Sequence, residues 1–449
     1  MRIVIVGGGV VGSNLAKQYG REGHDVSVVD PNPAVTRRLS ERLDVLAVTG
    51  SGTSEKTLRE AGIEEAEMLV AVSGSDEVNI LACRFAKEFG VKRKIARVRN
   101  AEFGGADSKV DLKELGVDLA IHPEEEIVKQ VRQVLRVPGT TEVAMFAGGS
   151  VLLHGFKVAS SAPIAGKRIA QLAEQFEDEK FLIAAIMKRN VLTIPSAQTL
   201  IEGGDIVFVI SSEATFSFVQ AMILGQREKL EKVVISGATE IGRRLAGILE
   251  DELGDVTLIE ADRDMAELAA GGLDKTLVLN GDPRDRDIQI EAGIANANFF
   301  IAVAEDDEEN MLTSLIAQRN GAKHTICLTE NPDYIPVLES IGIDVVLNPR
   351  VITVSKILEL MRKARIVSGV RLHESDAEVL ELEAIEGSRA IEAPLKDLRF
   401  PAGAIVAAIL RNGAMEIPDG RSQIRAKDKV IVFSKSEALP AVEKLFSAR

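Results

Sequence analysis

Residues 3–12 read IVIVGGGVVG, and residues 233–242 read VVISGATEIG. The first stretch runs four β-branched apolar residues into Gly7-x-Gly9-x-x-Gly12, the pattern of a buried strand that turns sharply into a helix. In such a turn Gly7 permits the bend, Gly9 lets a pyrophosphate approach the backbone, and Gly12 lets the helix pack on the strand. The helix N-terminus then offers unpaired N–H groups to an anion. Alone the triplet is weak, because flavin proteins and degenerate folds of this kind share it. Its context strengthens it. Asp30 closes the next apolar run, 18 residues after Gly12, where a carboxylate accepts hydrogen bonds from ribose hydroxyls and repels a 2′-phosphate. Pro31 and Asn32 follow, so no arginine adjoins Asp30 to receive such a phosphate.

The second stretch belongs to a repeat. Gly7, Gly12 and Asp30 recur as Gly237, Gly242 and Glu260, each displaced by 230 positions. EAGIEEAEMLVAVSGSDEVN (60–79) runs parallel to EAGIANANFFIAVAEDDEEN (291–310), and KRNVLTIP (188–195) to RNGAMEIP (411–418). So many offsets in one order mark a tandem duplication.

Each copy divides again. In the first, the β-rich runs RIVIV, DVSVV, DVLAV, EMLVAV, KIARV and DLAI alternate with helical stretches such as 10–22 and 75–89. That alternation predicts a parallel sheet covered on both faces. In 75–89 the spacing places Val78, Leu81, Ala82, Phe85 and Phe89 on one face. Helix 123–136 closes this part, with Glu124, Glu125 and Glu126 at its start and RVPG at its stop. After Pro138-Gly139 the pattern changes. TTEVAMFAGGSVLLHGFKV reads as strand, turn and strand, followed by a helix near 166–176, a hairpin in FLIAAIMKRNVLTIP and a last strand, DIVFVI. The expected architecture is therefore α/β: two tandem Rossmann-like parallel-sheet nucleotide domains, residues 1–137 and 229–366, each followed by a small α+β lobe, 138–228 and 367–449.

The copies differ where phosphate would lie. Thr239 replaces the middle glycine, adding bulk on the pyrophosphate path. KIARVR puts Arg97 and Arg99 at the end of the fifth strand, the ligand-facing edge of such a sheet, whereas TICLTE has Leu328 and Glu330 there. The two arginines read either as phosphate ligands or as solvated, salt-bridged side chains. Both losses remove phosphate-binding chemistry, so the second site is expected to be weaker, differently selective or empty.

Composition narrows the function classes. With 449 residues the chain exceeds one ordinary core, and its net charge of −14 disfavours nucleic acid and anionic membrane surfaces. That charge suits a basic protein surface, such as the Lys- and Arg-rich cytoplasmic loops of membrane proteins. No apolar run approaches the roughly 18–20 residues needed to cross a bilayer, and the first apolar stretch ends in glycines rather than at a signal-cleavage site. Cys83 and Cys327 stand far apart, which fits a reducing cytoplasm and offers no thiolate metal site. His24, His122, His154, His324 and His373 are scattered, and neither Tyr19 nor Tyr334 is followed by a lysine four residues on, as a short-chain dehydrogenase would require. The acidic runs 124–126 and 305–309 read as charge complementing helix dipoles. No catalytic residue and no metal site are expected. A nucleotide binder of this kind acts by favouring one arrangement of its domains over another.

GGGVVGSNLA, VVDPNP, EAEMLVAVSGSDEVNILAC, IARVR and DDEENMLTSLIAQRNGAK, in this order and spacing, resemble the TrkA family. Its members are peripheral cytoplasmic subunits of Trk-type potassium uptake systems, built on tandem RCK domains. The resemblance covers essentially the full length. It implies NAD(H), and ATP or ADP at the same sites, as ligands. It also implies a membrane-embedded, TrkH-like potassium-translocating partner and a homo-oligomer, a tetrameric ring, at the inner face of the cell membrane. By the same resemblance Gly7, Gly8, Gly9, Val10 and Val11 would wrap the pyrophosphate and Asp30 the ribose. Thr49, Ser73 and Gly74 would line the adenine-side edge, and Arg97 would meet phosphate. In the second copy Gly237, Ala238, Thr239, Glu240, Ile241 and Glu260 take the equivalent places, although the family commonly has glycine where Thr239 stands. Two rival readings belong to other classes: a soluble NAD-dependent oxidoreductase that holds substrate in its lobes, and an assembly protein with vestigial sites. Helix 350–365 carries Val351, Ile352, Val354, Ile357, Leu358 and Met361, more apolar residues than a solvated helix requires. It reads either as packing on its parent sheet or as a subunit contact that moves when the cleft closes.

Overall fold

Arg2–Val6 (β1), four of whose five residues are buried, enters the molecule as the centre of a sheet and turns at Gly7 into Val10–Arg21 (α1). The chain continues through Asp25–Asp30 (β2), Pro33–Arg42 (α2), Leu46–Thr49 (β3), Glu55–Glu60 (α3), Met68–Ala71 (β4), Asp76–Glu88 (α4), Arg93–Arg97 (β5), Leu119–Ile121 (β6) and Pro123–Leu135 (α5). All strand pairs are parallel, in the order β3-β2-β1-β4-β5-β6. This is the doubly wound order, which leaves its crevice at the carboxyl ends of β1 and β4, where the strand order reverses. The structure is a computed structural model and describes residues 1–100, 103, 110–136, 139–176, 179–189, 191–225, 229–361, 366–372 and 377–447, with side chains undescribed at 359–371. Val137 and Pro138 of the expected helix stop, Asn190, His373 and residues 362–365 lie outside the described residues.

The first lobe follows with Thr140–Phe146 (β7), Val151–Lys157 (β8), Ile169–Gln175 (α6), Phe181–Lys188 (β9), Val191–Thr193 (β10), Ile206–Ser211 (β11) and Glu213–Leu224 (α7). Its antiparallel sheet has the order β10-β9-β11-β8-β7. Both expected hairpins are present, β7 with β8 and β9 with β10. Helix α7 has no counterpart in the sequence reading. Ser212 caps it, and Val219, Met222 and Ile223 bury it against the sheet.

The second copy repeats the plan with Lys232–Ser236 (β12), Glu240–Glu252 (α8), Asp255–Glu260 (β13), Arg263–Gly272 (α9), Leu277–Asn280 (β14), Arg286–Glu291 (α10), Phe299–Ala302 (β15), Asp307–Arg319 (α11), His324–Leu328 (β16), Ile335–Ser340 (α12), Val345–Leu347 (β17) and Pro349–Met361 (α13). Its sheet order, β14-β13-β12-β15-β16-β17, matches the first sheet strand for strand. The second lobe comprises Ile366–Arg371 (β18), Ala377–Glu383 (β19), Ala404–Arg411 (β20), Ala414–Glu416 (β21), Lys429–Lys435 (β22) and Leu439–Phe446 (α14), in the order β18-β19-β22-β20-β21. The chain is thus an α/β protein of two tandem Rossmann-like units, each followed by an antiparallel lobe.

The backbone separates into two compact units: Met1–Lys129 with Leu328–Pro332 and Leu347–Leu360, and Gln130–Cys327 with Asp333–Val346 and Met361–Arg449. Within the second unit the two lobes share one core. Phe146, Leu153 and Phe208 pack with Val379, Ala408 and Phe433, and the Phe208 and Phe433 rings lie 6.3 Å apart. Each lobe's other sheet face carries its own helix, α7 in the first and α14 in the second.

Two helices bear on the expected apolar faces. In α4 the buried residues are Asn79, Ile80, Ala82, Cys83 and Ala86, while Val78, Phe85 and Phe89 pack at the margin. Leu81 is 44% exposed, because it lies about 200° around the helix from Asn79 and Cys83. In α13, Ile352, Ile357 and Leu358 are buried by the chain itself. The helix is grouped with the unit of the first nucleotide domain.

Candidate nucleotide site

The carboxyl edge of the first sheet assembles every candidate of the first copy at strand ends or the turns that follow them. Gly7, Gly8 and Gly9 form the β1–α1 turn, and Val10 and Val11 open α1. Gly7 has φ +102°, and a Cβ there would lie 2.8 Å from the Ser73 backbone. A Cβ on Gly12 would sit 1.8 Å from the Gly7 carbonyl oxygen. Both glycines are therefore required by the turn itself. Gly9 is different. Its φ of −64° and ψ of −163° are open to any residue, and a Cβ there would meet nothing within 4 Å. Neither conformation nor packing explains the glycine, which leaves a gap in front of the α1 N-terminus. No side chain caps that terminus.

Asp30 ends β2 and ties the turn. Its carboxylate accepts the Gly8 N–H at 2.7 Å and the Asn32 N–H at 2.9 Å. Thr49 pairs with Asp30 in the β2–β3 register, and its hydroxyl lies 2.6 Å from that of Thr36. Ser73 and Gly74 follow β4, and Arg97 ends β5. Asn79, a residue not singled out from the sequence, joins these last elements. Its Oδ1 accepts the Ser73 N–H at 2.8 Å and the Ser73 hydroxyl at 2.7 Å, while its Nδ2 donates to the Arg97 carbonyl at 2.8 Å. The signal was available, since Asn79 recurs as Asn310 in the repeated stretches, and Asn310 bonds Ala304 through N–H and C=O at 2.8 Å each.

Arg97 is mostly buried, and its Nε meets no hydrogen-bond partner. Burial lowers its pKa, Arg99 adds to that effect, and the carboxylates of Glu124, Glu330 and Asp76 oppose it. A guanidinium remains charged under these conditions.

The second copy reproduces the backbone and changes the chemistry. Thr239 has φ −61° and ψ 173°, close to Gly9, but its hydroxyl accepts the Gly242 N–H at 3.3 Å and donates to the Val303 carbonyl at 2.9 Å. The α8 N-terminus is thus capped from within. Glu260 ties Ala238 and Asp262 through their N–H groups, as Asp30 ties Gly8 and Asn32. Glu240 and Ile241 open α8. Ala304 and Leu328 stand where the first copy has Ser73 and Arg97. Asp282, Asp306 and Glu309 replace Ser51, Ser75 and Val78. Burial pushes the Glu309 carboxyl pKa up, with Asp282, Asp306 and Glu260 adding to it and Arg284 opposing. Arg284 is itself held in a two-point pair with Asp282, at 2.9 and 2.8 Å. An acidic cleft with a capped helix disfavours a pyrophosphate twice over.

Among the described residues, no group of three or more His, Cys, Asp or Glu side chains is placed to hold a metal ion. Both cysteine thiols are buried, which pushes their pKa values up to about 12. No helix among the described residues is long and apolar enough to cross a membrane.

Residues 3–123 and 233–349 match the TrkA-N domain, and residues 153–224 and 379–447 the TrkA-C domain. The chain is 32% identical over 451 residues to the Trk system potassium uptake protein TrkA of Azorhizobium caulinodans, covering 99% of this chain and 98% of that protein. It is 34% identical over 448 residues to a TrkA homolog of Archaeoglobus fulgidus, covering 99% and 100%. Among solved structures, the GsuK channel bound to NAD is similar in fold, with a TM-score of 0.60 at 19% identity, covering 100% of this chain and 79% of that one.

Proposed function

The chain belongs to the TrkA family of Trk-system potassium uptake proteins, and from that premise we propose that it is a nucleotide-sensing regulatory subunit without catalysis of its own. It acts at the inner face of the cell membrane, as a homo-oligomer, on a membrane-embedded, TrkH-like potassium-translocating partner. Residues 1–137 and 229–366 serve as nucleotide-domain folds, and 138–228 and 367–449 as the lobes. The ligand is NAD(H), or ATP or ADP, at the first copy.

One observation carries the site: Gly9 leaves open space before an uncapped helix terminus, and neither its conformation nor its neighbours require a glycine. That space fits a pyrophosphate on the N–H groups of α1. Gly7, Gly8, Gly9, Val10 and Val11 would hold it, Asp30 the ribose, Thr49, Ser73 and Gly74 the adenine-side edge, and Arg97 a phosphate. The equivalent residues of the second copy would bind weakly or remain empty. The test is potassium flux through the co-expressed membrane partner in vesicles, with and without nucleotide. A nucleotide-dependent flux that disappears with Gly9→Val is expected. Flux indifferent to nucleotide, or turnover of NADH with an organic substrate, would overturn the reading.

A further inference from the structure

The core shared by the two lobes is apolar, with Phe146, Leu153 and Phe208 on one side and Val379, Ala408 and Phe433 on the other. Burial of such faces is non-directional, so it does not by itself choose between unlike lobes of one chain and like lobes of two chains. One polar contact crosses from lobe to lobe. Glu381 of β19 is 2% exposed, and its Oε2 accepts the Ala147 N–H at 2.8 Å. Its Oε1 pairs with Lys429 of β22 at 3.0 Å. Ala147 opens the turn between β7 and β8 with φ +51°, a left-handed conformation uncommon for alanine. Gly148 and Gly149 follow at +67° and +96°.

The duplication shows that this contact runs one way. Asp205 and Asp428 are equivalent, since each pairs with the cation near the end of its lobe's third long strand, Lys188 at 3.0 Å and Arg411 at 2.8 Å. Three residues further on, Phe208 therefore answers to Ile431. Gly155 stands opposite Phe208 in the β8–β11 register, and Glu381 opposite Ile431 in the β19–β22 register. Gly155 is thus the first lobe's counterpart of Glu381. A Cβ on Gly155 would lie 2.7 Å from Thr141 Oγ1 and 3.2 Å from the Phe208 ring, so that lobe has no free room for a carboxylate there. The receiving turn belongs to the first lobe and the carboxylate to the second.

We propose that Glu381 is the specificity determinant of the lobe interface: it admits a first lobe as the partner of a second and rejects pairing of like lobes from different chains. Two first lobes would bring together two Ala147 N–H groups and no carboxylate to receive them. Two second lobes would bury two carboxylates with no Ala147 N–H, each left to Lys429 alone. A buried donor without an acceptor and a buried charge short of a donor both oppose association. The apolar contacts supply affinity for any of these pairings, and the one polar contact penalises the wrong ones. The partner this surface fits is therefore the other lobe of the same chain.

The test uses the full chain and reads two quantities: hydrogen exchange at the Ala147 amide, and the mass distribution by sedimentation over a range of concentrations. Glu381→Gln keeps an acceptor of the same shape. Its Ala147 exchange should stay within about threefold of wild type, and its masses should be unchanged. Glu381→Leu keeps apolar packing and removes the acceptor. Exchange at Ala147 should then rise at least about tenfold. Species larger than those of wild type should also appear as concentration rises, because like lobes of different chains are no longer rejected. Glu381→Gly, which gives the second lobe the residue of the first, should behave in the same way and serves if leucine overfills the position. Faster exchange with the wild-type masses would overturn the proposal, since the carboxylate would then only fix the turn. Larger species formed equally by Glu381→Gln would do the same. So would failure of both the leucine and glycine variants to fold while Glu381→Gln folds, since the carboxylate would then serve folding rather than the choice of partner.

Discussion

The Thr239 hydroxyl donates to the Val303 carbonyl at 2.9 Å, and in that pose it caps the helix whose counterpart in the first copy begins uncapped at Gly9. A single position therefore differs in two copies of one fold: open space before an uncapped helix in one, closure of a helix in the other. Thr239→Val keeps the bulk and removes the cap. It should cost about 1 kcal/mol of stability and leave nucleotide affinity unchanged. Gly9→Val should lower nucleotide affinity by more than about tenfold with little loss of stability. Thermal unfolding and calorimetry of the two variants give the comparison, and equal affinity losses from both changes would contradict it.

Cofactor preference should follow Asp30. Its carboxylate is fixed by the Gly8 and Asn32 N–H groups, so a 2′-phosphate on the adenosine ribose would approach a held negative charge. NADH should bind at least about tenfold more tightly than NADPH, and Asp30→Asn should narrow that gap while weakening both. Tighter binding of NADPH to the unaltered chain would refute this assignment.

Asn79 should prove structural and functional together. It is wholly buried and joins Ser73 to the Arg97 carbonyl. Asn79→Ala leaves the Ser73 N–H and the Arg97 carbonyl without their partner, at a cost of roughly 2–4 kcal/mol. Denaturant unfolding measures that loss. Nucleotide affinity should also fall, because the loop after β4 and the end of β5 lose their common tether.

Much of this was legible in the sequence, and the gaps have physical causes. Strand–helix alternation and the β1–α1 glycines locate the parallel sheets, because buried parallel strands read as unbroken β-branched runs. Helix α7 escapes the same reading. The buried positions Thr215, Val219, Gln220, Met222 and Ile223 share one face, but two of them are polar and Ala214, Phe218, Ala221 and Leu224 lie off it, so apolar spacing alone shows no stripe. The shared core of the lobes is equally hidden: strands such as β11 are apolar on both faces, and sequence does not say what covers each face. Within the site, Gly9 and Asp30 follow from a local motif. The grouping of residues 328–332 and 347–360 with the first sheet joins segments more than 200 positions apart, which no local pattern encodes.

His154 should make the first lobe acid-sensitive. Burial depresses its pKa to about 3, among Phe156 and Phe216, and its Nδ1 finds no hydrogen-bond partner. The folded state thus binds this proton less readily than the unfolded chain, whose histidine titrates near 6.5. The stability that depends on a neutral imidazole is fully present above about pH 6.5 and is lost as pH falls toward 3, by up to about 1.4 kcal/mol per unit. His154→Leu should flatten the pH dependence of unfolding over that window. Parallel curves for the two proteins would show that the proton is accommodated.

The last expectation concerns α13. A subunit contact requires apolar residues that the isolated chain leaves uncovered, yet Ile357 is 0% exposed and Leu358 9% exposed within one chain. The helix is grouped in one compact unit with the first nucleotide domain, and Arg350 in its first turn pairs with Glu330 at 3.0 Å. Ile357→Ala should therefore cost about 2–5 kcal/mol of stability, the range for truncating a buried aliphatic side chain. It should also weaken nucleotide binding at the first copy, because α13 and that cleft share one compact unit. Oligomer mass at a temperature where the variant remains folded should be unchanged. A variant that dissociates there, with its stability and nucleotide affinity intact, would return α13 to the subunit interface.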